Sequence, residues 1–363
     1  MFTAQDSVWM AQALRLAEQG LYGTSPNPRV GCVVAKDGKL VGNGWHRRAG
    51  EPHAEVHALR EAGDKARGAT TYVTLEPCSH HGRTPPCAEA LVAAGVTRVV
   101  LAVQDPNPKV AGEGIEKLRA AGIVVECGLM ESAARELNAG FFMRMTRGMP
   151  LVRSKIAMSM DGRSALANGV SQWITGDAAR QDVQHWRARS CAVLTGINTV
   201  LADDARLNVR GITTPRQPLR VVVDSHLRMP LAARILQGGN TLLYTASNDA
   251  EKISALDDAG AIVIAMANSY GRVDLRLMLQ DLAQRGCNEV LLEAGSVLNG
   301  AMLSAGLVDE LVVYVAPKLL GDAARGIAQL GELTRLDQRV NLAWREVRQV
   351  GEDLRITARV KNV

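Results

Sequence analysis

Residues 52–60 read Pro-His-Ala-Glu-Val-His-Ala-Leu-Arg, and residues 77–87 read Pro-Cys-Ser-His-His-Gly-Arg-Thr-Pro-Pro-Cys. His53, Cys78 and Cys87 offer one imidazole and two thiolates, a ligand set that zinc takes. Three protein ligands leave a fourth tetrahedral position for water, as in catalytic zinc sites. Glu55 is two residues from a ligand, where a carboxylate moves protons without binding the metal. The pattern therefore predicts zinc-dependent hydrolytic chemistry with Glu55 as the acid–base group.

A structural zinc site is the alternative interpretation. It usually needs a fourth protein ligand, and His80 or His81 in the intervening loop offers one. The adjacent Glu55 and Pro77 favour catalysis, because His-x-Glu followed by Pro-Cys and a second Cys is typical of zinc nucleobase deaminases.

The bulk composition indicates a globular protein with two domains. The chain has 363 residues, too many for one ordinary core, and 47% of them are hydrophobic while 22% are charged. The formal net charge of +5 comes without a run of Lys or Arg, which suits an anionic small molecule at least as well as a nucleic acid. No apolar stretch approaches the ~20 residues that cross a bilayer, and the first residues do not read as a secretory signal.

The cysteines indicate the compartment. Six are spread over the chain, at positions 32, 78, 87, 127, 191 and 287. Two belong to the metal motif, and the others lie in apolar segments, as expected of buried free thiols in a reducing environment. We therefore expect a cytoplasmic protein that is not bound to a membrane.

The order of elements predicts two α/β domains. From Val30 onward, apolar strands alternate with helices, which indicates a three-layer α/β unit. One helix over residues 131–145 closes this unit, and the segment 144–150, with a glycine and a proline, breaks the pattern. We place residues 1–146 in the first domain and residues 147–363 in a second, strand-rich α/β domain.

Three local predictions concern helix starts. Asp6 or Ser7 is expected to cap the first helix, and Pro52 is expected at the first helical position, ahead of His53. Cys87 is expected in or near the first turn of its helix, where positive partial charge favours the thiolate.

The spacing of the two cysteines departs from the general deaminase motif. Eight residues separate Cys78 from Cys87, whereas the general motif is Pro-Cys-x-x-Cys. The long form Pro-Cys-Ser-His-x-Gly-Arg-Thr-Pro-Pro-Cys, together with Pro-Asn-Pro-x-Val-Gly at residues 26–31, closely resembles the deaminase domain of the bifunctional riboflavin-biosynthesis deaminase–reductase family. Further segments resemble that family's reductase domain in the same order, and they are residues 155–162, 171–174, 196–204, 223–225, 293–298, and 308–311 with 316–321.

This resemblance covers nearly the whole chain and implies two folds and two reactions. The N-terminal domain would be a cytidine-deaminase-like three-layer α/β/α domain, and the C-terminal one a dihydrofolate-reductase-like α/β domain. The first would use zinc to deaminate 2,5-diamino-6-ribosylamino-4(3H)-pyrimidinone 5′-phosphate hydrolytically, with Glu55 shuttling the protons. The second would use NADPH to reduce the ribosyl group of 5-amino-6-(5-phosphoribosylamino)uracil to ribityl. The family also implies a homodimer through the reductase domain.

The resemblance also implies site residues. The zinc ligands and the catalytic carboxylate are those named above. The expected nicotinamide-cofactor residues are Ala157, Trp173, Thr199, Asp203, Ser225, Gly295, Ser296, Val297, Leu298, Asn299, Gly300 and Ala301. The expected substrate residues are Asn27 and Arg83 in the deaminase domain, and Ser171, Arg187, Leu207, Arg210 and Glu293 in the reductase domain. Lys155 and Asp204 lie inside matched segments and receive no role.

Some of these positions have a physical reason of their own, each with a plainer alternative. A guanidinium forks onto two phosphate oxygens, so Arg187 and Arg210 suit a phosphate, although a surface ion pair is the commoner role. Arg83 also suits a ribose phosphate, against a merely solvated loop. The segment from Gly295 presents backbone N–H groups at a helix start, which receives a pyrophosphate, although alone it indicates an ordinary turn. Asn27 is a polar side chain in a rigid Pro-x-Pro segment ahead of a buried strand, and without the family a plain turn asparagine is an equal alternative.

Trp173 alone would fit a core aromatic that only borders the cofactor. No Gly-x-Gly-x-x-Gly follows a strand, so the identity of the cofactor rests on the resemblance.

Two rival functions follow from the same residues. A polynucleotide deaminase with an accessory domain is compatible with the charge, but aromatic residues make up only 4% of the chain and form no basic–aromatic stripe. We therefore expect no nucleic-acid partner. In the other rival, the second half is a nucleotide-sensing module that regulates the first. Tight NADPH binding without ribose reduction would support that interpretation.

Overall fold

The computed structural model describes residues 2–79, 86–108 and 110–361. The chain separates into two compact units, residues 1–149 (the first unit) and residues 150–363 (the second unit). Among the described residues, no helix is both long enough and apolar enough to cross a bilayer.

The first unit is a mixed sheet between two layers of helices. Its described helices are α1 (Ala4–Glu18), α2 (Ala54–Ala62), α3 (Cys87–Ala93), α4 (Glu113–Ala120), α5 (Glu131–Leu137) and α6 (Ala139–Arg147). Its described strands are β1 (Gly31–Lys36), β2 (Lys39–Trp45), β3 (Thr70–Val73), β4 (Arg98–Leu101) and β5 (Val124–Cys127). The strand order is β2-β1-β3-β4-β5, with β1 antiparallel to both neighbours and β3, β4 and β5 parallel.

Two hydrophobic clusters fill the spaces on either side of this sheet. On one side, α2, α3 and α4 pack through Ala58, Leu91 and Leu118. On the other side, α1 and α6 pack through residues such as Met10 and Phe141. The predicted three-layer α/β/α arrangement is confirmed.

Helix ends differ from the predictions in three places. The N-cap of α1 is Thr3, and Asp6 is its partner in a capping box rather than the cap itself. Helix α2 begins at Ala54 with His53 as N-cap, so Pro52 lies outside the helix. The single closing helix is broken at Asn138, because its side chain accepts from Arg29 N and donates to Arg29 O, both at 2.8 Å.

The second unit contains a larger sheet. Its described helices are α7 (Asp177–Arg189), α8 (Ile197–Asp203), α9 (Ala250–Asp258), α10 (Leu275–Gln284) and α11 (Ser296–Ser304). Its described strands are β6 (Leu151–Ser159), β7 (Arg163–Ala165), β8 (Ala192–Gly196), β9 (Leu219–Val223), β10 (Thr241–Thr245), β11 (Ala261–Ala265), β12 (Glu289–Leu292), β13 (Glu310–Ala316), β14 (Arg325–Gly326), β15 (Asn341–Val350) and β16 (Asp353–Lys361).

The strand order of the large sheet is β11-β10-β9-β8-β12-β6-β13-β16-β15, and β7 pairs with β14 separately. Strands from β11 to β13 are parallel, while β16 and β15 add an antiparallel pair at one edge. Strand β6 comes first in the sequence but lies between β12 and β13. The parallel strands therefore end together at one edge of the sheet, which is where α/β proteins bind ligands.

Candidate active sites

The three predicted zinc ligands converge in the first unit. His53 caps α2, Cys87 begins α3, and Cys78 lies on the segment that follows β3. Nδ1 of His53 is 3.6 Å from Sγ of Cys78 and 3.3 Å from Sγ of Cys87. All three ligand atoms lie within 4.8 Å of one another. Zinc bonds of about 2.0–2.3 Å require separations of this size, so the donor set fits zinc.

Without a bound metal, the environment of the two thiols favours the thiolate form of only one of them. Hydrogen bonds from the Cys87 thiol, and then from His53, lower the pKa of Cys78 to about 4 against the effect of burial. The backbone N–H of Cys87 also donates to Sγ of Cys78 at 3.4 Å. The pKa of Cys87 is raised, first because its thiol donates to Cys78 and then because it is buried. A divalent cation removes this asymmetry, since it stabilises both thiolates.

Glu55 is a buried carboxyl beside these ligands. Its side chain lies in the first turn of α2, and the residue is only 3% exposed. Burial raises its pKa to about 7, although the charge of His53 opposes the shift. Its Oε2 is buried and has no hydrogen-bond partner among the described residues. A carboxyl with a pKa near neutrality and a free oxygen is equipped to accept and return a proton.

His46 is a member of this site that sequence reasoning missed. It directly follows β2, is 2% exposed, and stands edge-on to the His53 ring at 5.2 Å between centroids. Its Nδ1 lies 3.2 Å from Pro52 O, and its Nε2 lies 3.2 Å from Nδ2 of Asn27. Since a carbonyl only accepts, Nδ1 carries the proton and Nε2 accepts from the Asn27 amide. Oδ1 of Asn27 is thereby turned away from His46 and, among the described residues, is left to accept from another group.

In the second unit, most of the predicted reductase residues lie where the parallel strands end. Ala157 is on β6, Thr199 and Asp203 are on α8 directly after β8, Ser225 follows β9, and Glu293 and Gly295 follow β12. The strands β9, β8, β12 and β6 are neighbours in the sheet. Residues distant in sequence are thus gathered along one edge.

Arg187 and Glu293 join α7 to that edge. Nε and Nη2 of Arg187 donate to the two carboxylate oxygens of Glu293 at 2.6 and 2.9 Å, and Nη1 donates to Asn208 O at 3.0 Å. Burial alone would raise the pKa of Glu293, but the charges of Arg187, Lys155 and Arg210 outweigh it and lower that pKa. The pKa of Lys155 is lowered, first by burial and also by Arg187.

Arg210 belongs to a positively charged cluster. Its backbone N–H donates to the Gln184 side chain at 3.0 Å, which holds it beside α7. The pKa of its guanidinium is lowered by burial and then by the charges of Arg187, Arg234 and Arg206. Such mutual repulsion is relieved by an anion, so the cluster suits a phosphate.

Ser171 and Trp173 lie on the segment between β7 and α7. Nζ of Lys318 anchors this segment by donating to Ile174 O at 2.7 Å. Trp173 is 65% exposed, and the Arg180 guanidinium lies 4.5 Å from the centre of its ring. An exposed ring held in this way is not a core aromatic.

The predicted cofactor segment at α11 divides into two parts. Gly295 is the N-cap of α11, and no side chain caps the first turn of this helix. The backbone N–H groups of that turn can therefore receive a phosphate. Asn299 is buried, where its Nδ2 donates to Ala294 O at 3.0 Å and its Oδ1 accepts from Ser154 at 3.1 Å. Gly300 packs against the Gln329 backbone. The helix start therefore fits a pyrophosphate, and the later residues hold the helix in place.

Comparisons with known proteins agree with both halves of this description. The family described as RibD C-terminal domain matches residues 150–356, and the cytidine and deoxycytidylate deaminase zinc-binding region matches residues 3–103. The riboflavin biosynthesis protein RibD of Escherichia coli is 50% identical, over 96% of this chain and 98% of that protein. The chain belongs to the RibD family.

Solved structures of RibD proteins show the same architecture. Acinetobacter baumannii RibD is 49% identical with a TM-score of 0.92, and 99% of each chain is covered. A Thermotoga maritima protein, described as a diaminohydroxyphosphoribosylaminopyrimidine deaminase/5-amino-6-(5-phosphoribosylamino)uracil reductase, is 32% identical with a TM-score of 0.87, over 98% of this chain and 99% of its own. The predicted cytidine-deaminase-like and dihydrofolate-reductase-like folds are confirmed.

Membership of the RibD family establishes the activity at the level of the two domains. The protein is a bifunctional enzyme of riboflavin biosynthesis, with a zinc-dependent deaminase domain and an NADPH-dependent reductase domain.

Of the predicted site residues, Arg83 lies outside the described residues, as do His80 and His81. Leu207 is buried, with a positive φ of 54°. Asp204, which received no role, accepts from the Arg234 backbone N–H at 2.8 Å.

Proposed function

We propose that the first unit deaminates 2,5-diamino-6-ribosylamino-4(3H)-pyrimidinone 5′-phosphate, with His53, Cys78 and Cys87 as zinc ligands and Glu55 as the proton carrier. The observation that carries this proposal is the buried Oε2 of Glu55, which has no hydrogen-bond partner in the part of the chain that the structure describes and lies beside three convergent ligand atoms. Zinc bound there supplies Lewis-acid activation of the attacking water.

The residues of the chain perform the proton transfers. Oε2 of Glu55 takes a proton from the attacking water and delivers it to the ring nitrogen next to the amino-bearing carbon. The carboxylate then takes the remaining proton from the hydroxyl that has added to the ring carbon and passes it to the amino group, so that the carbonyl forms, the C–N bond breaks and ammonia leaves. A pKa near 7 suits both halves of this cycle. Asn27, with Oδ1 free to accept, orients an N–H or O–H donor of the substrate.

For the second unit, we propose that the product of the first reaction binds with its phosphate near Arg210, and that Ser171, Arg187, Leu207 and Glu293 line the rest of its site. Arg187 and Glu293 neutralise each other, so their role is to shape the site rather than to supply net charge. NADPH supplies the reducing equivalents that convert the ribosyl group to ribityl. We propose that NADPH is held by the first turn of α11 together with Ala157, Trp173, Thr199, Asp203 and Ser225.

Gly300 allows a direct test of the cofactor site. A Cβ at this position would stand 2.0 Å from Gln329 O, so Gly300→Ala must push α11 and the Gln329 backbone apart, and we expect the helix N–H groups to shift with it. We expect the KM for NADPH to rise while the deaminase rate stays unchanged. Ser304→Ala, on an exposed position of the same helix, is the matched control. An unaltered KM for NADPH in Gly300→Ala would remove α11 from the proposed site.

We propose a homodimer through the second unit. Residues paired across β15 and β16 share a face, and on this face Trp344, Val347 and Leu354 are 70%, 58% and 43% exposed. A two-fold interface would set this apolar face against its own copy. We further propose a cytoplasmic location, supported by six free cysteines of which four are buried.

One experiment tests the two activities and their order. Zinc content and ammonia release are measured on the diaminopyrimidinone ribosyl phosphate, with and without NADPH. We expect about one zinc per chain, ammonia in both conditions, and NADPH oxidation only after ammonia appears. Ammonia without any NADPH oxidation would favour a nucleotide-sensing role for the second unit. No ammonia from zinc-loaded protein would contradict the proposed substrate.

A further inference from the structure

A second buried carboxylate of the first unit lies two residues before Cys78. Glu76 follows β3, is 3% exposed, and is held at its backbone by a hydrogen bond from its N–H to Val103 O at 3.0 Å. It is not one of the three convergent ligand residues, so the ligand set itself does not account for its burial.

Backbone N–H groups surround this carboxylate. Oε2 of Glu76 accepts from Asp105 N and Gly112 N, both at 3.1 Å. Oε1 accepts from Gly114 N at 3.0 Å and from Ile115 N at 3.2 Å. Gly112 is the N-cap of α4 and has no side chain to cap the helix. Glu76 therefore caps α4 from a distant part of the chain, by satisfying N–H groups that a helix cannot satisfy itself.

The two neighbours of Cys78 in the sequence, Pro77 and Ser79, also contact the first turn of α4. A Cβ on Gly114 would stand 2.1 Å from Pro77 O, so only glycine lets α4 approach Pro77 this closely. The Ser79 hydroxyl donates to Oε2 of Glu113 at 2.9 Å. Residues 76, 77 and 79 thus all contact the start of α4, and Cys78 is the residue between them.

We infer that Glu76 is a positioning residue of the zinc site: by capping α4 it fixes the backbone that carries the ligand Cys78. The inference rests on the proposed zinc site. Groups that orient metal ligands from outside the coordination sphere contribute to metal affinity, and their loss typically weakens it about 10- to 100-fold. The same contacts would hold the segment ready for zinc before the metal arrives.

Glu76→Gln is the sharpest variant, because it keeps the shape and removes two acceptors. An amide has one accepting oxygen, so its NH₂ group faces two of the four backbone N–H donors and leaves them without a partner. Glu116→Gln is the matched control, since Glu116 is exposed in the first turns of the same helix and makes the same change of charge.

Zinc affinity of the whole chain is measured by competition with a chromogenic chelator. We expect Glu76→Gln to bind zinc about 10- to 100-fold more weakly than the wild type, and Glu116→Gln to match the wild type. Amide hydrogen exchange at β1 reports that the first unit is folded, and NADPH-dependent reduction of the deaminated substrate reports the same of the second unit; both should be unchanged in the two variants. Wild-type affinity in Glu76→Gln would overturn the inference. A wild type that holds no zinc would instead contradict the proposed function.

A second measurement needs no variant and covers the case in which Glu76→Gln fails to fold. Binding linkage is reciprocal, so if the cap on α4 favours zinc, zinc must favour the cap. Removing zinc from the wild type should therefore speed amide hydrogen exchange at Gly112, Gly114 and Ile115 more than at β5. Equal exchange at these amides with and without zinc would overturn the inference.

Discussion

Asp6 and Arg98 join α1 to β4 through two hydrogen bonds. Nη1 and Nη2 of Arg98 lie 2.7 and 3.1 Å from Oδ1 and Oδ2 of Asp6, and the Tyr72 hydroxyl donates to Oδ1 at 2.7 Å. The Arg98 guanidinium, with Thr3 and Tyr72, holds the pKa of Asp6 well below its usual 3.8 against the effect of burial. The carboxylate is therefore a source of stability for the first unit.

This contribution depends on pH with a defined sign. Because the folded-state pKa is lowered, the stabilisation is complete above the unfolded pKa and is lost as pH falls through the folded one. Asp6→Asn should cost about 3 kcal/mol at pH 7, since it breaks a largely buried pair. At pH 3 the difference from the wild type should be about 1 kcal/mol smaller.

Native-state hydrogen exchange at the β4 amides measures both values in the whole chain. Asp64→Asn, at an exposed position of the same unit, is the control and should leave the exchange unchanged. A cost that did not shrink between pH 7 and pH 3 would show that the Asp6 charge is not the origin of the effect.

Glu55→Gln should keep the zinc and lose the deaminase reaction. The amide has nearly the same shape but cannot carry a proton, so we expect ammonia release to fall by a factor of about 10² to 10⁴. Reduction of the separately supplied deaminated substrate should continue at the wild-type rate. Zinc analysis accompanies the assay, and substantial ammonia release from a zinc-replete variant would refute the role of Glu55.

Arg210 and Arg187 should respond differently to removal. Arg210→Ala should raise the KM of the reduction for its phosphorylated substrate about tenfold or more, because a charge-assisted hydrogen bond is lost, while the KM for NADPH stays the same. Arg187→Ala instead leaves Glu293 buried without its partner and should destabilise the second unit by about 3 kcal/mol. If Arg210→Ala left the substrate KM unchanged, the phosphate would have to bind elsewhere.

Charges placed on the exposed face of β15 should separate the homodimer. In the double variant Trp344→Glu/Val347→Lys, dimer formation would have to remove two charges from water at the proposed interface. Light scattering should therefore report the monomer mass. Ile262→Glu, on the opposite edge strand β11 where Ile262 is 54% exposed, is the control and should keep the dimer. A wild type that is already monomeric would contradict the proposal directly.

The α/β layers of both units could be predicted from the sequence, because alternating apolar strands and helices are a local signal, whereas the two named folds followed from the family resemblance. The residue types in His-x-Glu, Pro-Cys and the second Cys indicated that His53, Cys78 and Cys87 would cluster, and the structure brings them together. The break at Asn138 could not be predicted, because its cause is a pair of hydrogen bonds to Arg29, 109 residues away.

The missed site residues have the same kind of explanation. His46 follows a strand with no spacing signal, and its contacts with Asn27 and Pro52 exist only after β2 and α2 have packed. The bidentate pairing of Arg187 with Glu293 could not be predicted either, since the sequence allowed a phosphate or a surface ion pair for Arg187 and did not identify Glu293 as its partner. Long-range contacts of this kind decide which polar side chains remain free for a ligand.

The position of β6 between β12 and β13 sets an order of events during synthesis. The strand leaves the ribosome first among those of its sheet, but its two neighbours lie about 130 and 150 residues later. At about 5–20 residues per second, the nascent β6 waits on the order of ten seconds with both edges unpaired. The complete first unit is by then free to fold, so the deaminase half is expected to emerge as a folded domain while the reductase half still depends on its last third.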